Sequence, residues 1–485
     1  MAIEILNRTK RDIAETALGT ALGFLGDNPD KNAKYVTRAF DRTVRGEKQA
    51  LVRDWVHSWL EEGQPGREFL TRILKNTHPN VRRRYIARMV VSLFFRDAEI
   101  GERALQKYGV TPPHVLVLSP TMRCNYRCQG CYAASYERKD DMSPELCDRV
   151  LTEAEEMGTN FFVIVGGEPF IYPELLKIIR KHNRSLFQVY TNASLIDEAM
   201  AAKLADMGNV TPQISVNGPA EFTDASRGKG TFELTMRAMD NLRKAGCVIG
   251  FSTLVTRLNV DAICSEEWMD LLIQKGALYG WLFLYMPVGS KPDINLMPTP
   301  EQRNQLRVFV RDIRHVKPII PIDFWNDGPL AGGCISAGRE YCHINHKGDV
   351  EPCIFCHFAT NNIKNCSLAE ALGSPFFKAV RDSQPFSHNT LLPCPMIDHH
   401  GAMWSLVQQY GAKPTHEGAD QMFTTLAPEM KRYSEGVQTI MDDVWDNESY
   451  HDWAAKWGSM CGIPTPRLEA RRQAYEESRH ARKRA

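Results

Sequence analysis

Short runs of β-branched and aromatic residues alternate with amphipathic stretches from Val115 onward. The runs have the length and composition of buried strands, and the stretches between them repeat their apolar residues with helical spacing. The predicted strands are Val115–Ser119, Phe161–Val165, Phe187–Thr191, Gln213–Val216, Gly250–Val255 and Trp281–Met286, and the predicted helices are Pro144–Met157, Pro173–His182, Asp197–Met207, Phe232–Ala245, Glu266–Lys275 and Glu301–His315. Such alternation is typical of a parallel sheet with right-handed crossovers. The pattern therefore predicts an α/β fold with a partial (β/α)6 barrel, whose ligands bind at the carboxyl ends of the strands.

The rest of the sequence has other patterns, which divide the chain into four predicted regions. Residues 1–112 have a helical pattern, residues 113–325 hold the barrel, residues 326–400 are rich in Gly, Pro, Cys and His, and residues 401–485 form a helical tail. A chain of 485 residues is too long for one ordinary core, so several packed units are expected.

Composition and charge narrow the classes of function. The formal net charge of +1 gives no global basic field for nucleic acid, and the basic clusters at residues 82–84 and 467–484 are interpreted as solvated helix faces. The sequence has no run of 18 apolar residues and no secretory signal pattern, which predicts a cytoplasmic protein. Segment 82–96 is basic at its start and apolar later. A core helix packed on the barrel is the favoured interpretation, and a helix peripheral to a membrane is the alternative.

Three cysteines lie close together directly after the first predicted strand. Cys124, Cys128 and Cys131 have the spacing C-x3-C-x2-C, and an aromatic residue, Tyr132, follows them. Three thiolates on one loop can hold three corners of a [4Fe-4S] cluster, which leaves the fourth iron open to bind a small chelating molecule. The alternative is a structural zinc site with a distant fourth ligand, although zinc sites prefer two C-x2-C pairs.

Further motifs follow the next strands in order. They are Gly166-Gly167-Glu168-Pro169 after the second strand, Tyr190-Thr191-Asn192 after the third, and Ser215-Val216-Asn217-Gly218 after the fourth. Together with the cysteine motif they resemble the radical S-adenosylmethionine (SAM) superfamily. Ala193 stands where the family often has glycine, and Asn217 where aspartate is common. The resemblance covers about residues 115–320.

The resemblance implies a role for each motif. Cys124, Cys128 and Cys131 would bind the cluster, and Tyr132 would lie near the adenine of SAM. The SAM amino group would meet Gly166, Gly167 and Glu168. Asn192, Ser215 and Asn217 complete the implied SAM site, the latter two near the ribose. The implied reaction is reductive cleavage of SAM to methionine and a 5′-deoxyadenosyl radical, which abstracts hydrogen from an unactivated C–H bond. An electron donor such as flavodoxin or ferredoxin would supply the electron.

A second group of cysteines lies between residues 334 and 394. It resembles the SPASM/twitch extension that carries auxiliary iron–sulfur clusters, with a hairpin turn at Lys347-Gly348. One auxiliary cluster is expected, because Cys366 is too far from Cys356 to continue a fourfold run. The candidate ligands are Cys334, Cys353 and Cys394, with Cys342 or Cys356 as the fourth. A mononuclear iron or zinc ion on four of these thiols is the alternative.

Asp323 and Asp327 follow the sixth strand–helix unit, in the segment Ile322–Gly328. They are candidates for substrate contact at the barrel mouth. They could equally cap local turns, since aspartate side chains accept hydrogen bonds from nearby backbone N–H groups.

The favoured function is a radical SAM enzyme that acts on a membrane lipid or another hydrophobic molecule, because segment 82–96 is apolar in its second half. The alternatives are a SPASM-type peptide maturase, with a peptide or other small molecule as substrate, and a non-catalytic iron–sulfur electron carrier. A zinc-stabilised scaffold is a further alternative. No nucleic-acid partner is expected.

Overall fold

A computed structural model describes residues 64–89 and 98–447, together with Leu18, Tyr35 and Arg38. The helices are α1 Pro65–Asn76, α2 Pro79–Val81, which continues as a π-helical turn over Arg82–Ile86, α3 Ala98–Tyr108, α4 Pro144–Met157, α5 Leu175–Lys181, α6 Glu198–Met207, α7 Ala220–Arg227, α8 Thr231–Ala245, α9 Val260–Ile263, α10 Glu266–Gln274, α11 Pro300–Val316, α12 Gly328–Ala331, α13 Leu368–Leu372, α14 Pro375–Asp382, α15 Ala402–Gln409 and α16 Ala427–Asn447. The strands are β1 Val115–Thr121, β2 Phe161–Gly166, β3 Leu186–Thr191, β4 Val210–Ser215, β5 Ile249–Val255, β6 Ala277–Leu284, β7 Ile320–Asp323, β8 Tyr341–Ile344, β9 Asp349–Glu351, β10 Phe358–Ala359, β11 Asn361–Asn362 and β12 Lys413–Pro414.

Ten of the strands form one sheet in the order β11-β9-β8-β1-β2-β3-β4-β5-β6-β7. Strands β1 to β7 are parallel neighbours in chain order, as the sequence predicts. The sheet is two parallel strands wider than predicted: β7 extends one side, and β8 pairs in parallel with β1 on the other. The predicted hairpin is present, because β8 and β9 pair antiparallel around Gly348, whose φ is 93°.

The sheet curves around an interior space. Side chains from β1, β2, β3, β4, β5, β6 and β8 all line the same cavity, which a flat sheet could not do. Strands β7 and β8 are the two ends of the parallel part and are not hydrogen-bonded to each other. The predicted fold class, an open partial barrel with a cysteine-rich extension and a helical tail, is therefore confirmed.

The free edge of β7 is blocked against further pairing. Pro321 has no N–H to donate, and its carbonyl oxygen accepts a hydrogen bond from Arg314 Nε at 2.8 Å. The Asp323 N–H donates to Asp327 Oδ2 at 2.9 Å. These contacts satisfy the outward-facing groups of the edge, so the sheet ends here.

The base of the barrel is covered by α1 and α2. Val81 and Tyr85 pack in one apolar cluster with Leu186, Val248 and Leu278, which lie at the start of β3, just before β5 and at the start of β6. The described part of segment 82–96 is therefore a core helix, and its apolar second half, residues 90–96, lies outside the described residues. No helix among residues 64–89 and 98–447 is long and apolar enough to cross a membrane.

Two arginines at the base of the barrel, Arg82 and Arg84, donate hydrogen bonds to backbone carbonyl groups. Arg82 Nη1 donates to Leu74 O at 2.9 Å, and Arg84 Nη1 donates to Met207 O, the last residue of α6, at 2.7 Å. A guanidinium at a helix C-terminus satisfies an unpaired carbonyl and complements the helix dipole. The interpretation of cluster 82–84 as a solvated face is therefore wrong for these two residues, and the 467–484 cluster lies outside the described residues.

We expect replacement of Arg72 by Met to destabilise the protein. Its guanidinium donates to Pro318 O and Ala277 O, both at 2.7 Å, and to Ile273 O at 3.0 Å. Losing charged donors to partly buried carbonyls should cost about 2 kcal/mol. Thermal unfolding measures the effect, with Lys75→Met on the exposed side of the same helix as control. An equal melting temperature for both variants would show that the hydrogen bonds of Arg72 do not stabilise the protein.

Candidate active site

The loop after β1 presents its three cysteines to one cavity. Cys124, Cys128 and Cys131 all line a space of about 300 Å³ at the carboxyl ends of the barrel strands. Burial raises the pKa of the Cys124 and Cys131 thiols, so metal binding at these sulfurs must displace protons.

The cysteine loop is held in place by neighbouring side chains. Arg138 Nη1 donates to Tyr126 O at 2.8 Å and to Cys124 O at 3.3 Å. Asn192 Nδ2 donates to Asn125 Oδ1 at 2.8 Å, and the Tyr126 N–H points at Cys124 Sγ at 3.4 Å. The loop is thus fixed from two sides, and the predicted SAM residue Asn192 takes part in fixing it.

The two glycines after β2 are required by close packing against the cysteine loop. A Cβ atom on Gly166 would lie 2.2 Å from Thr121 O, and one on Gly167 would lie 2.2 Å from Arg123 O. Gly166 also has a φ of 117°, which disfavours other residues. Both glycines line the cavity beside the cysteines, as the motif predicts.

Glu168 follows the two glycines in the chain and lies outside the cavity that they line. Its side chain is fully buried and is not among the residues that line the cavity. Its carboxylate accepts hydrogen bonds from Asn192 N at 2.7 Å, Thr191 Oγ1 at 2.8 Å and Phe170 N at 3.2 Å. Burial raises the pKa of this carboxyl, and the three donors oppose the rise. The contacts shown are structural: they tie the end of β2 to the end of β3, while direct contact with SAM stays a prediction.

Ala193 adopts a backbone conformation that glycine normally supplies. Its φ is 66°, in the left-handed region that costs a residue with a Cβ atom roughly 1 kcal/mol. The turn gains compensating bonds, since Thr191 Oγ1 accepts from Ala193 N at 3.0 Å. Alanine in place of glycine at position 193 therefore raises the free energy of the turn but keeps its backbone conformation.

Ser215 and Asn217 lie at the end of β4 and line the same cavity. Asn217 Oδ1 accepts from Leu254 N and from Arg227 Nη2, both at 3.2 Å, and its Nδ2 donates to Ser226 Oγ at 2.9 Å. An aspartate could accept from the first two groups and could not donate to Ser226. Asn217 thus uses its amide oxygen as an acceptor and its amide nitrogen as a donor.

Arg227, which no sequence motif identifies, is the cation of this cavity wall. It lies at the end of α7, and its Nε is buried with no hydrogen-bond partner among the described residues. A buried guanidinium N–H without an acceptor is a position for an anionic ligand group. Only its place after β4, at the carboxyl edge of the sheet, could have indicated it.

Tyr132 lies between the two cysteine groups. Its hydroxyl oxygen accepts a hydrogen bond from Gly166 N at 3.2 Å, and its ring packs edge-on against Phe355 with centroids 6.2 Å apart. Tyr132 therefore lines the cavity and braces the glycine turn.

The second group of cysteines surrounds a neighbouring cavity of about 980 Å³. Cys334, Cys353 and Cys394 all line it. Cys356 is fully buried beside them: its N–H donates to Cys353 O at 3.0 Å. Burial raises the pKa of Cys356 well above its ordinary value, and the nearby Cys353 and Cys394 thiols add to the rise. These four thiols are brought together by the structure.

Cys342 lies elsewhere. Side chains alternate along β8, so Tyr341 faces the barrel interior with Val117 and Val165, while Cys342 joins the main core on the other face. Burial raises its pKa to about 12, with Arg381 as the neighbouring charge. Of the two candidates for a fourth ligand, the geometry favours Cys356.

Asp323 and Asp327 line the large cavity, and both are engaged with the protein. Asp323 accepts from the backbone N–H groups of Trp325 at 3.2 Å and Asn326 at 3.1 Å, and burial raises its pKa to about 6. Asp327 forms a two-pronged ion pair with Arg314, one arm of which is 2.9 Å long. These contacts match the turn-capping interpretation, and a catalytic role for either residue has no support from them.

The two cavities share one wall, which we call the shared wall: Trp281, Phe324, Ile335, Tyr341 and Phe355. All of its side chains are apolar or aromatic, and their rings contact one another, as Phe324 does with Tyr341 at 6.3 Å between centroids. A molecule at this wall would lie between the two groups of cysteines. Sequence periodicity could not identify the shared wall, because its members are scattered between residues 281 and 355 and belong to no single helix or strand.

The donor sets fit iron–sulfur clusters. The cysteines border two open spaces, and thiolates are the ligands that iron–sulfur clusters use. The unpartnered Arg227 Nε provides a donor for an anionic group in the first space.

The fold and the site define an iron–sulfur enzyme built on a partial α/β barrel. The model of the radical SAM superfamily matches residues 118–265, and that of an iron–sulfur cluster-binding domain, SPASM, matches residues 334–395. The mycofactocin maturase MftC of Mycobacterium tuberculosis is 32% identical over 299 residues, which cover 55% of this chain and 74% of that protein. The AdoMet-dependent heme synthase of Oleidesulfovibrio alaskensis is 25% identical over 299 residues, 55% of this chain and 76% of that protein.

Solved structures show the same fold. Streptococcus suis SuiB bound to S-adenosylmethionine superposes with a TM-score of 0.51, and SuiB bound to its precursor peptide SuiA with 0.50, at 18% identity over 66% of this chain and 84% of SuiB. The protein belongs to the radical SAM superfamily and carries a SPASM domain. It is an enzyme that uses SAM, a [4Fe-4S] cluster and an auxiliary iron–sulfur cluster, so the carrier, zinc-scaffold and mononuclear alternatives are set aside.

Proposed function

We propose that the protein modifies a peptide at the space between its two clusters, as a SPASM-type maturase. The observation that carries the proposal is the shared wall, which places one binding space beside both groups of cysteines. Similarity to a maturase and the fold of an enzyme crystallised with a precursor peptide support a peptide as the substrate. The comparisons favour this alternative over the lipid substrate, which has no support from the relatives named above.

Cys124, Cys128 and Cys131 would hold the cluster, which would supply one electron to bound SAM, break a C–S bond to give methionine and a 5′-deoxyadenosyl radical, and so provide the species that takes a hydrogen atom from the substrate. The protein's own residues orient and enclose the reactants. Gly166 and Gly167 let the backbone approach, Arg227 offers a charged donor, and Asn217 holds Arg227 in place at 3.2 Å. The apolar shared wall excludes water from the reacting group.

Cys334, Cys353, Cys356 and Cys394 are the proposed ligands of the auxiliary cluster. The large cavity, of about 980 Å³, lies at the upper end of the volumes of ordinary ligand pockets, which are roughly 300–1,000 Å³. A peptide side chain and the cluster can therefore share it. The electron donor is proposed to be a flavodoxin or a ferredoxin, as the family resemblance implies.

A tetrapyrrole is the second candidate substrate. The large cavity has aromatic walls, and Arg311 and His315 of α11 line it, which suits a flat macrocycle bearing carboxylates. The heme synthase relative supports this class. We rank the tetrapyrrole second, because the heme synthase is 25% identical to this chain and the maturase is 32% identical.

The test is turnover of defined substrates by the anaerobically reconstituted protein. Synthetic peptides from short reading frames beside the gene, and iron coproporphyrin III as the competitor, are incubated with SAM and dithionite and analysed by mass spectrometry. A peptide mass change that requires both SAM and dithionite supports the proposal. Conversion of the porphyrin with every peptide unchanged would overturn it.

We expect Arg227→Gln to raise the KM for SAM about tenfold, since one charge-assisted hydrogen bond contributes roughly 1.5–3 kcal/mol. The kcat should change less, because Arg227 is proposed to bind and not to react. Steady-state formation of 5′-deoxyadenosine measures both constants. Lys229→Gln, an exposed cation two residues further, serves as control. Equal KM values for the two variants would rule out Arg227 as a SAM contact.

A further inference from the structure

Tyr341 connects the shared wall to a cysteine of the auxiliary group. Its hydroxyl donates to Cys353 Sγ at 2.8 Å, and the Phe355 N–H donates to the same sulfur at 3.5 Å. Tyr341 is only 6% exposed, so this hydrogen bond is shielded from water. Tyr341 is therefore the one side chain of the shared wall that the structure bonds to a proposed cluster ligand.

The fold places this hydroxyl with little freedom. Tyr341 begins β8, where it is in register with Val115 of β1, and its ring packs against Phe324 at 6.3 Å. Strand alternation directs it to the barrel interior, opposite to Cys342. A hydrogen bond held by a strand and a packed ring persists when the sulfur becomes a metal ligand, because neither support depends on the metal.

Hydrogen bonds to cysteine sulfur withdraw electron density from an iron–sulfur cluster. They stabilise the reduced, more negative cluster, so they raise its reduction potential. We propose that Tyr341 is a positioning residue of the auxiliary cluster, whose hydroxyl orients Cys353 and raises the reduction potential of that cluster. This inference rests on the proposed role of Cys353 as a ligand.

The experiment compares Tyr341→Phe with Tyr190→Phe in the full chain. Both are placed in a variant in which Cys124, Cys128 and Cys131 are alanine, so that only the auxiliary cluster contributes to the spectrum. Tyr190 on β3 also lines the barrel cavity, and none of its described hydrogen bonds reaches a cysteine. Midpoint potentials are read by electron paramagnetic resonance during an anaerobic redox titration.

Tyr341→Phe is expected to lower the ratio of reduced to oxidised cluster at a fixed potential at least threefold, which is about 28 mV for one electron. Tyr190→Phe should leave the potential unchanged. An unchanged potential in Tyr341→Phe, or an equal shift in both variants, would overturn the inference.

A separate variant shows whether the ligand assignment itself is wrong. Cys353→Ala in the same background should lower the iron content and remove the auxiliary signal. If the cluster persists unchanged in Cys353→Ala, Cys353 is not a ligand and the inference fails with the assignment. If the signal is lost there and Tyr341→Phe shifts nothing, the tuning role alone is refuted.

Discussion

Replacing Cys124, Cys128 and Cys131 together with alanine is expected to abolish SAM cleavage while the auxiliary cluster remains. The two groups of cysteines line different cavities, and only the first borders Gly166, Asn217 and Arg227. Loss of all three thiolates removes every protein ligand proposed for the first cluster, so residual 5′-deoxyadenosine should fall below about one thousandth of wild type, a barrier change of roughly 4 kcal/mol.

Iron analysis and 5′-deoxyadenosine quantification on the same preparations measure this result. The matched control replaces Cys147, Cys247 and Cys264, three cysteines outside both cavities, with alanine. That control should keep its iron and its SAM cleavage. Cleavage by the first variant at more than a few per cent of wild type would show that these three cysteines do not hold the cluster that cleaves SAM. Loss of all its iron would show that the auxiliary cluster depends on the first site.

Replacing Arg303 with methionine is expected to destabilise the protein by about 3–5 kcal/mol. Arg303 and Asp398 form an ion pair in which both side chains are fully buried. Arg303 also donates to Asn326 Oδ1 and to Leu391 O, both at 3.0 Å. The substitution leaves the Asp398 carboxylate buried without its countercharge, which costs more than the pair itself contributes.

The melting temperature should fall by on the order of 10 °C in Arg303→Met. The double variant Arg303→Met, Asp398→Leu should recover most of the loss, because it removes both buried charges. Arg311→Met, which alters an exposed pair with Asp312, should change stability by less than about 1 kcal/mol. A melting temperature of Arg303→Met equal to that of Arg311→Met would refute this account of the buried ion pair.

The buried ion pair of Arg303 and Asp398 also joins three of the predicted regions. Asp398 also accepts through its backbone carbonyl from Ser434 Oγ of α16 at 2.7 Å, so α11, the cysteine-rich segment and the helical tail meet at one residue. The boundaries predicted at 112, 325 and 400 remain predictions.

Strands and cysteine motifs could be predicted because their signals are local. Strand β2, for example, is a short apolar run over Phe161–Gly166. The spacing of Cys124, Cys128 and Cys131 is likewise a property of a single loop. The apolar pattern does not predict strand β7, because Pro321 interrupts its short apolar run and Asp323 ends it. Proline is typical of an edge strand, where its missing N–H leaves no partner unpaired.

Long-range placement could not be predicted from the same signals. The separation of Cys342 from Cys353 depends on the alternation of β8 and on its pairing with β1, more than 200 positions earlier in the chain. The basic cluster at residues 82–84 looked solvated because its acceptors are carbonyl groups elsewhere, such as Met207 O. Backbone acceptors have no signature in the side-chain pattern.

The measurement that tests the central claim most directly is 5′-deoxyadenosine formation by the reconstituted wild-type protein given SAM and dithionite under anaerobic conditions, with and without the peptide pool. The account predicts 5′-deoxyadenosine and methionine in equal amounts, only with reductant, and faster when the peptide substrate is present. A protein shown to carry a reduced [4Fe-4S] cluster that forms no 5′-deoxyadenosine in either condition would contradict it.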